Sequence, residues 1–256
     1  MTFEPTALKL TILFLTALTA GFVDSIAGGG GLITVPVLLA VGIPPHLALG
    51  TNKVQSTFGS STAAIRYAGS GLIIKDQILT GVVFTLIGAI LGTLLIQIIP
   101  ADFLGKIIPF ILLAVFFYTL LSPNLGHKER DARVKKSVFY TVAGLTLGFY
   151  DGFFGPGTGS LWTIALISFL GYDLKGATAT TKITNFTSNI VALTVFIIGG
   201  KILILPGLIM GAGQVCGAWV GSHLVINKGT RFIRIFFLTV VALTILRLFQ
   251  QEYLAG

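Results

Sequence analysis

The sequence predicts an all-α integral membrane protein built from two inverted repeats of about five apolar segments each, and three observations carry that prediction. The first is composition: of 256 residues, 54% are hydrophobic and 10% charged, with a mean hydropathy of +0.93. A soluble domain needs about a quarter of its residues charged, so no water-facing surface can be assembled from this chain. The second is an internal repeat. Gly21-Phe22-Val23-Asp24 and the glycines Gly28, Gly29, Gly30 and Gly31 are echoed by Gly148-Phe149-Tyr150-Asp151 and a second glycine-rich stretch, Gly155 to Gly159. The third is segment count, because an odd number of crossings per repeat turns the second half over relative to the first.

Ten apolar segments can be read, at 7–23, 32–44, 47–68, 77–99, 104–121, 137–150, 158–171, 176–198, 202–224 and 232–250. Residues 1–126 form the N-terminal repeat, 127–136 a basic linker and 137–256 the C-terminal repeat, all within one membrane domain. The first segment carries Glu4 and only Lys9 before Leu10, lacks a small-x-small end and leads straight into Asp24. It reads as a retained span and not as a signal peptide. A full crossing takes about 20 residues, so the second and seventh segments are too short unless the flanking glycine loops dip into the bilayer. Such backbone cannot face lipid, where unpaired amides are costly, and must line a protein-enclosed or watery cavity.

The two halves can be aligned residue by residue. Gly42 answers Gly171, Asn52-Lys53 answers Thr181-Lys182, and Gly88-x-x-x-Gly92 answers Gly213-x-x-x-Gly217, with the second glycine loop two residues longer. The Gly-x-x-x-Gly faces read as close helix packing, within one chain or between two copies in a homodimer.

The net charge of +8 is distributed by segment end. Basic residues gather in the linker, from Lys128 to Lys136, and again at Lys228, Arg231 and Arg234. With the central loop cytoplasmic, the ten-segment count also places Arg66, Lys75 and Lys175 inside and leaves only Lys9, Lys106, Lys201 and Arg247 opposite. That asymmetry puts both termini outside, in a multi-pass cell-membrane protein of the bacterial inner-membrane type. Treating the short segments as re-entrant gives eight spans with parallel halves and moves Arg66 and Lys75 outside, a poorer fit. Orientation explains the charge without a nucleic-acid partner. A single Cys216 and three scattered histidines, His46, His127 and His223, offer neither a disulfide nor metal-ligand spacing, and no cofactor is expected.

Four charges stand at bilayer depth. An ionised side chain there costs at least about 2.5–3.5 kcal/mol, so each needs a reason. Asp24 and Asp151 either tie up the free amides of their glycine loops and cap the following half-helices, or serve as coupling or gating carboxylates; one group can do both. Lys53 and Lys182 either form internal salt bridges with these acids or attract an anion near a pseudo-two-fold axis, helped by amides at the broken helices. The anion reading is preferred because polar residues continue along the same helices. Asn52, Ser56 and Ser60 lie four apart, as do Thr181, Asn185 and Asn189, so each set forms one polar stripe lining a path. Gly28, Gly29, Gly30, Gly157 and Thr158 complete the expected anion site from the loops. No Gly-x-x-x-x-Gly-Lys run occurs, which argues against nucleotide binding.

At these residues the chain resembles the TauE/SafE family, also called TSUP, of sulfite and organosulfur-anion transporters, and is close to its YfcA-like members. The resemblance rests on the Gly21–Gly31 motif, Thr51-Asn52-Lys53 and the Gly148–Gly157 motif, and runs over nearly the whole chain. It implies a membrane transporter of a small sulfur-containing anion such as sulfite or sulfoacetate, without naming the anion. Inverted repeats add the expectation of alternating access, driven by a proton or sodium gradient. A passive anion channel is the alternative. An intramembrane enzyme using Asp24 and Asp151 as a carboxylate pair is disfavoured, since no nucleophile–base constellation accompanies them.

Overall fold

The computed structural model describes residues 3–121 and 130–228. Among the described residues the chain forms nine helices and no strand: α1 (Ala7–Ala27), α2 (Gly31–Ala40), α3 (Pro45–Gly69), α4 (Ile78–Ile98), α5 (Ala101–Leu121), α6 (Lys136–Phe153), α7 (Thr158–Leu170), α8 (Leu174–Ile198) and α9 (Ile204–Lys228). They correspond one to one with the first nine apolar segments. The tenth segment, 232–250, lies outside the described residues, as do His127, Lys128, Arg231, Arg234 and Arg247.

Local chemistry sets the ends. The Thr6 hydroxyl accepts the Lys9 amide at 3.4 Å to cap α1, and Pro45 opens α3, where its missing N–H costs nothing. The Asp173 carboxylate accepts the amides of Lys175 and Gly176, at 3.2 and 3.0 Å, so α8 begins two residues earlier than its apolar pattern. Gly42 and Gly171, matched in the sequence, both close their half-helices with positive φ, 92° and 72°. α1 and α6 run on through their glycine-aromatic motifs to Ala27 and Phe153, so Asp24 and Asp151 sit in the last helical turns and not in loops. His46 lies in the first turn of α3.

Among the described residues, four helices are long and apolar enough to cross a membrane: α1, α4, α8 and residues Ile204–Asn227 of α9. At about 1.5 Å per residue, α2 and α7 reach only about 15 and 20 Å, short of the roughly 30 Å hydrocarbon core. Large apolar side chains face outward, among them Leu91, Leu94 and Ile98 on α4, Val138 and Val142 on α6, and Leu205 and Leu208 on α9. The polar residues are turned inward: Asn52, Lys53, Gln55, Lys182, Asn185 and Ser188 are all buried. This arrangement, apolar outside and polar within, is the one a lipid solvent selects.

Packing is reciprocal between the halves. α1 lies along α9 and α4 along α6, while α3 and α8 meet between them. The Gly-x-x-x-Gly faces make both long contacts within one chain. A side chain at Gly92 would collide with the Phe149 carbonyl of α6, and one at Gly217 with the Leu18 carbonyl of α1. Backbone-to-backbone approach of this kind is what holds helices together where lipid removes the hydrophobic drive.

Candidate functional site

The break after α1 brings the two glycine loops together. Gly28 adopts φ 73°, and a side chain on it would run into the backbone of Gly159 and Ser160, so only glycine satisfies both the turn and the approach. The Ser160 hydroxyl donates to the carbonyls of Ala27 and Gly28 at 2.9 and 3.2 Å, bridging the α1–α2 break to the start of α7.

Each carboxylate is paired with the lysine of the other half. Lys53 Nζ donates to Asp151 Oδ1 at 2.6 Å, with side-chain exposures of 2% and 4%. Lys182 Nζ donates to Asp24 Oδ2 at 3.0 Å, at 0% and 21% exposure. The salt-bridge alternative for the lysines is therefore realised, and it is realised across the repeat. The remaining partners differ. Asp24 Oδ1 accepts the Gly30 amide at 3.0 Å, the loop-capping role foreseen for it, and Lys182 also donates to the Asp24 main-chain carbonyl. Asp151 Oδ2 instead accepts the Ser188 hydroxyl, and Lys53 shares its charge with Asn189 Oδ1 at 3.2 Å.

A solvent-open cavity lies between the halves, about 320 Å³ when the open solvent at its mouth is counted. Of the residues singled out in the sequence, it is lined by Asp24, Gly29, Asn52, Lys53, Ser56, Asp151, Gly157, Thr158, Asn185 and Asn189. Gly28, Gly30 and Lys182 do not line it: Gly28 is packed on the opposite loop, Gly30 is held by Asp24, and Lys182 lies beneath the Asp24 carboxylate. Gly31, Gly155 and Gly159 line it as well.

Three asparagines determine what the cavity offers. Asn52 Oδ1 accepts from the Thr34 hydroxyl at 2.6 Å and from Gln55 Nε2 at 2.7 Å. Asn189 Oδ1 accepts from Lys53. With both oxygens engaged by protein donors, the amide N–H groups are what these residues have left for a guest. Asn185 is 4% exposed, and its Oδ1 is buried without a hydrogen-bond partner, an expensive state that a bound molecule or a water would relieve. Two lysines against two aspartates leave the site with no net charge. An anion entering it would be held by directed N–H donors and by Lys53 once freed from Asp151, not by a standing positive potential.

Sequence reasoning missed Thr34 and Gln214, which orient this shell. Gln214 Nε2 donates to Gln55 Oε1 at 2.5 Å, and Gln55 in turn holds Asn52. Their signal was there: Thr34 is matched by Thr163, whose hydroxyl meets Thr181 at 3.2 Å, and Gln214 is a buried amide in the middle of a Gly-x-x-x-Gly face. Among the described residues no group of three or more His, Cys, Asp or Glu side chains could hold a metal ion.

A family model described as "Sulfite exporter TauE/SafE" matches residues 13–248. "Probable membrane transporter protein ORF9" of Sinorhizobium sp is 45% identical over 225 residues, covering 88% of this chain and 86% of that protein. "Probable membrane transporter protein YfcA" of Escherichia coli K12 is 44% identical over 233 residues, covering 91% and 86%. A "Probable membrane transporter protein" of Haemophilus influenzae is 43% identical over 225 residues, covering 88% of each. No solved structure matches the chain.

Proposed function

The chain belongs to the TauE/SafE family, and from that premise we propose that it is a secondary transporter of a small sulfur-containing anion, sulfite or sulfoacetate being the first candidates. The observation that carries the reading is the composition of the cavity: a buried lysine, three asparagines and the glycine loops of both halves converge on it. A small oxyanion is a guest suited to the Lys53 ammonium and the amide N–H groups of Asn52 and Asn189. The family model is described as an exporter and the relatives are named probable membrane transporters, which points away from an enzyme.

Alternating access between two inverted halves, 1–126 and 137–256, is part of the same proposal. Reciprocal packing of α1 on α9 and α4 on α6, with exchanged lysine–aspartate pairs at the centre, supports a pseudo-two-fold relation between them. Sidedness has support too. Lys136 at the start of α6 pairs with Asp76 before α4 at 2.7 Å, and Arg66 at the end of α3 meets His223 near the end of α9 at 3.3 Å. At the opposite ends of these helices Lys201 donates to the Gln97 carbonyl. That clustering suits the ten-segment count, with the basic linker cytoplasmic and both termini outside. Both long glycine contacts are made within the chain, so a homodimer would need another surface.

Purified protein in liposomes tests the proposal through uptake of labelled sulfite, thiosulfate, sulfoacetate and sulfate, with and without imposed proton and sodium gradients. Gradient-driven accumulation of one anion supports a coupled carrier. Flux that only equilibrates it supports the passive channel, and no flux of any in folded protein removes the sulfur-anion assignment.

A further inference from the structure

The two lysine–aspartate pairs are related by the repeat but are not equivalent in their surroundings. Resting on the transporter reading above, we infer that Lys53–Asp151 is the working pair, in which substrate anion and proton are exchanged for the salt bridge, while Lys182–Asp24 is a brace that holds the first glycine loop. Three observations separate them. Asp24 uses one carboxylate oxygen to hold the Gly30 amide, so moving it away releases the loop. The partners of the Asp151 carboxylate are the side chains of Lys53 and Ser188, which can swing away without unfolding backbone. Lys53 lines the cavity beside Asn52 and Asn189, whereas Lys182 is fully buried against Asp24 and its main-chain carbonyl and does not reach the cavity.

The asymmetry has a local origin in the sequence. In the register that matches Lys53 with Lys182, Ser188 stands where the first half has Gly59, so only Asp151 gains a hydroxyl donor. Gly59 meanwhile lies against the Gln214 side chain, which holds Gln55 and through it Asn52.

The exchange balances charge. In the resting state Lys53 and Asp151 form a neutral pair. An arriving monoanion takes the Lys53 ammonium, and the Asp151 carboxylate, buried and left without its cation, binds one proton from the same aqueous side. The loaded cavity has gained one negative and one positive charge and is as neutral as before. On the other side the proton leaves, the anion leaves, and the salt bridge re-forms. One proton therefore moves with each monoanion, and the cycle carries no net charge. The charged and titratable groups around Asp151 are Lys53 from α3, Asp24 from α1 across the cavity with Lys182 of α8 bound to it, and Tyr150 on its own helix, whose hydroxyl donates to the Pro156 carbonyl. α4 and α7, which pack nearby, contribute no ionisable side chain, so Lys53 is the cation whose departure decides the protonation of Asp151.

Liposomes carrying wild-type protein, Asp151→Asn, Asp24→Asn or Ser188→Ala are loaded with sulfite at mildly acid pH, where the hydrogen sulfite monoanion predominates. Two readouts are compared: accumulation under a pH gradient, and exchange of labelled for unlabelled sulfite without one. A gradient of one pH unit supports at most about tenfold accumulation at one proton per monoanion. Asp151→Asn is expected to bring the accumulation ratio down to one, losing gradient-driven accumulation by a larger factor than exchange. Asp24→Asn is expected to lose flux in both readouts together and to keep the pH response of what remains. Ser188→Ala, which keeps the ion pair and serves if Asp151→Asn does not fold, is expected to change the pH dependence of accumulation while leaving exchange at fixed pH less affected, because the carboxylate loses a donor. A potassium diffusion potential should leave wild-type accumulation of the monoanion unchanged. Accumulation by Asp151→Asn equal to wild type, or selective loss of it in Asp24→Asn, would overturn the division of roles while leaving transport standing. Absence of any flux in wild type would remove both.

Discussion

Removing the cation from the deeper ion pair gives the sharpest test of the site's energetics. Lys53 and Asp151 are 2% and 4% exposed, whereas the Lys136–Asp76 pair at the helix ends is 36% and 56% exposed. Pairs of the exposed kind contribute about 0–1 kcal/mol, but breaking a buried pair from one side costs about 3–5 kcal/mol because a charge is left unmatched. In Lys53→Met the orphaned carboxylate can escape that cost by taking a proton. Placing a proton on an aspartate of ordinary value about 3.9 costs about 4 kcal/mol at pH 7 and about 1.5 kcal/mol at pH 5. The penalty is therefore capped near 4 kcal/mol at pH 7 and shrinks on acidification. The sign follows from linkage: the folded variant binds a proton that its unfolded chain releases, so its stability rises as pH falls. At roughly 2–4 °C per kcal/mol for a chain of this size, Lys53→Met should unfold about 10 °C below wild type at pH 7 and within about 5 °C of it at pH 5. Adding Asp151→Asn should recover most of the loss, since a neutral pair of similar volume replaces an ionic one. Thermal unfolding in detergent, followed by monodispersity on size-exclusion chromatography, measures all three. A deficit independent of pH, or a double variant worse than the single, would refute the argument that an unmatched buried charge is the cause.

Other positions give further outcomes. Asn185→Leu removes a buried, unpartnered amide oxygen and keeps the volume, so it should hold or raise the unfolding temperature while lowering anion uptake at least tenfold, read by the same melts and by liposome flux. Gly217→Leu drives a side chain into the α1 backbone at Leu18 and should cost at least about 3 kcal/mol; recovery of little monodisperse protein checks it, with the exposed neighbour Val220→Leu as the unaffected control. Asp173→Ala withdraws the cap on α8 and should cost about 1 kcal/mol with uptake affinity unchanged, since the cap lies outside the cavity.

Much of the fold was legible because lipid imposes simple rules on sequence. Segments long enough to cross, short segments that are not, and glycine runs between them are all visible in order, and nine of the helices fall where the apolar pattern puts them. The helix ends near the site were harder. α1 and α6 continue through Asp24 and Asp151 because glycine at Gly21 and Gly148 packs against α9 and α4 and does not break the helix; the turn waits for the positive-φ residues Gly28 and Gly155. Hydropathy registers the motif as a unit and does not separate its packing glycines from its turning ones.

The sequence by itself determined that this chain belongs in a membrane, that its motifs repeat, and that two acids, two lysines and a stripe of amides interrupt its apolar segments. These are properties of residue type and periodicity. Only the tertiary structure decided that Lys53 takes Asp151 and Lys182 takes Asp24, that Lys53 lines the cavity while Lys182 is sealed beneath it, and that Thr34 and Gln214 orient the asparagines. The physical reason is that a buried charge must find a counter-charge within a few ångströms, and which one is nearest depends on how segments 98 and 158 residues apart are packed.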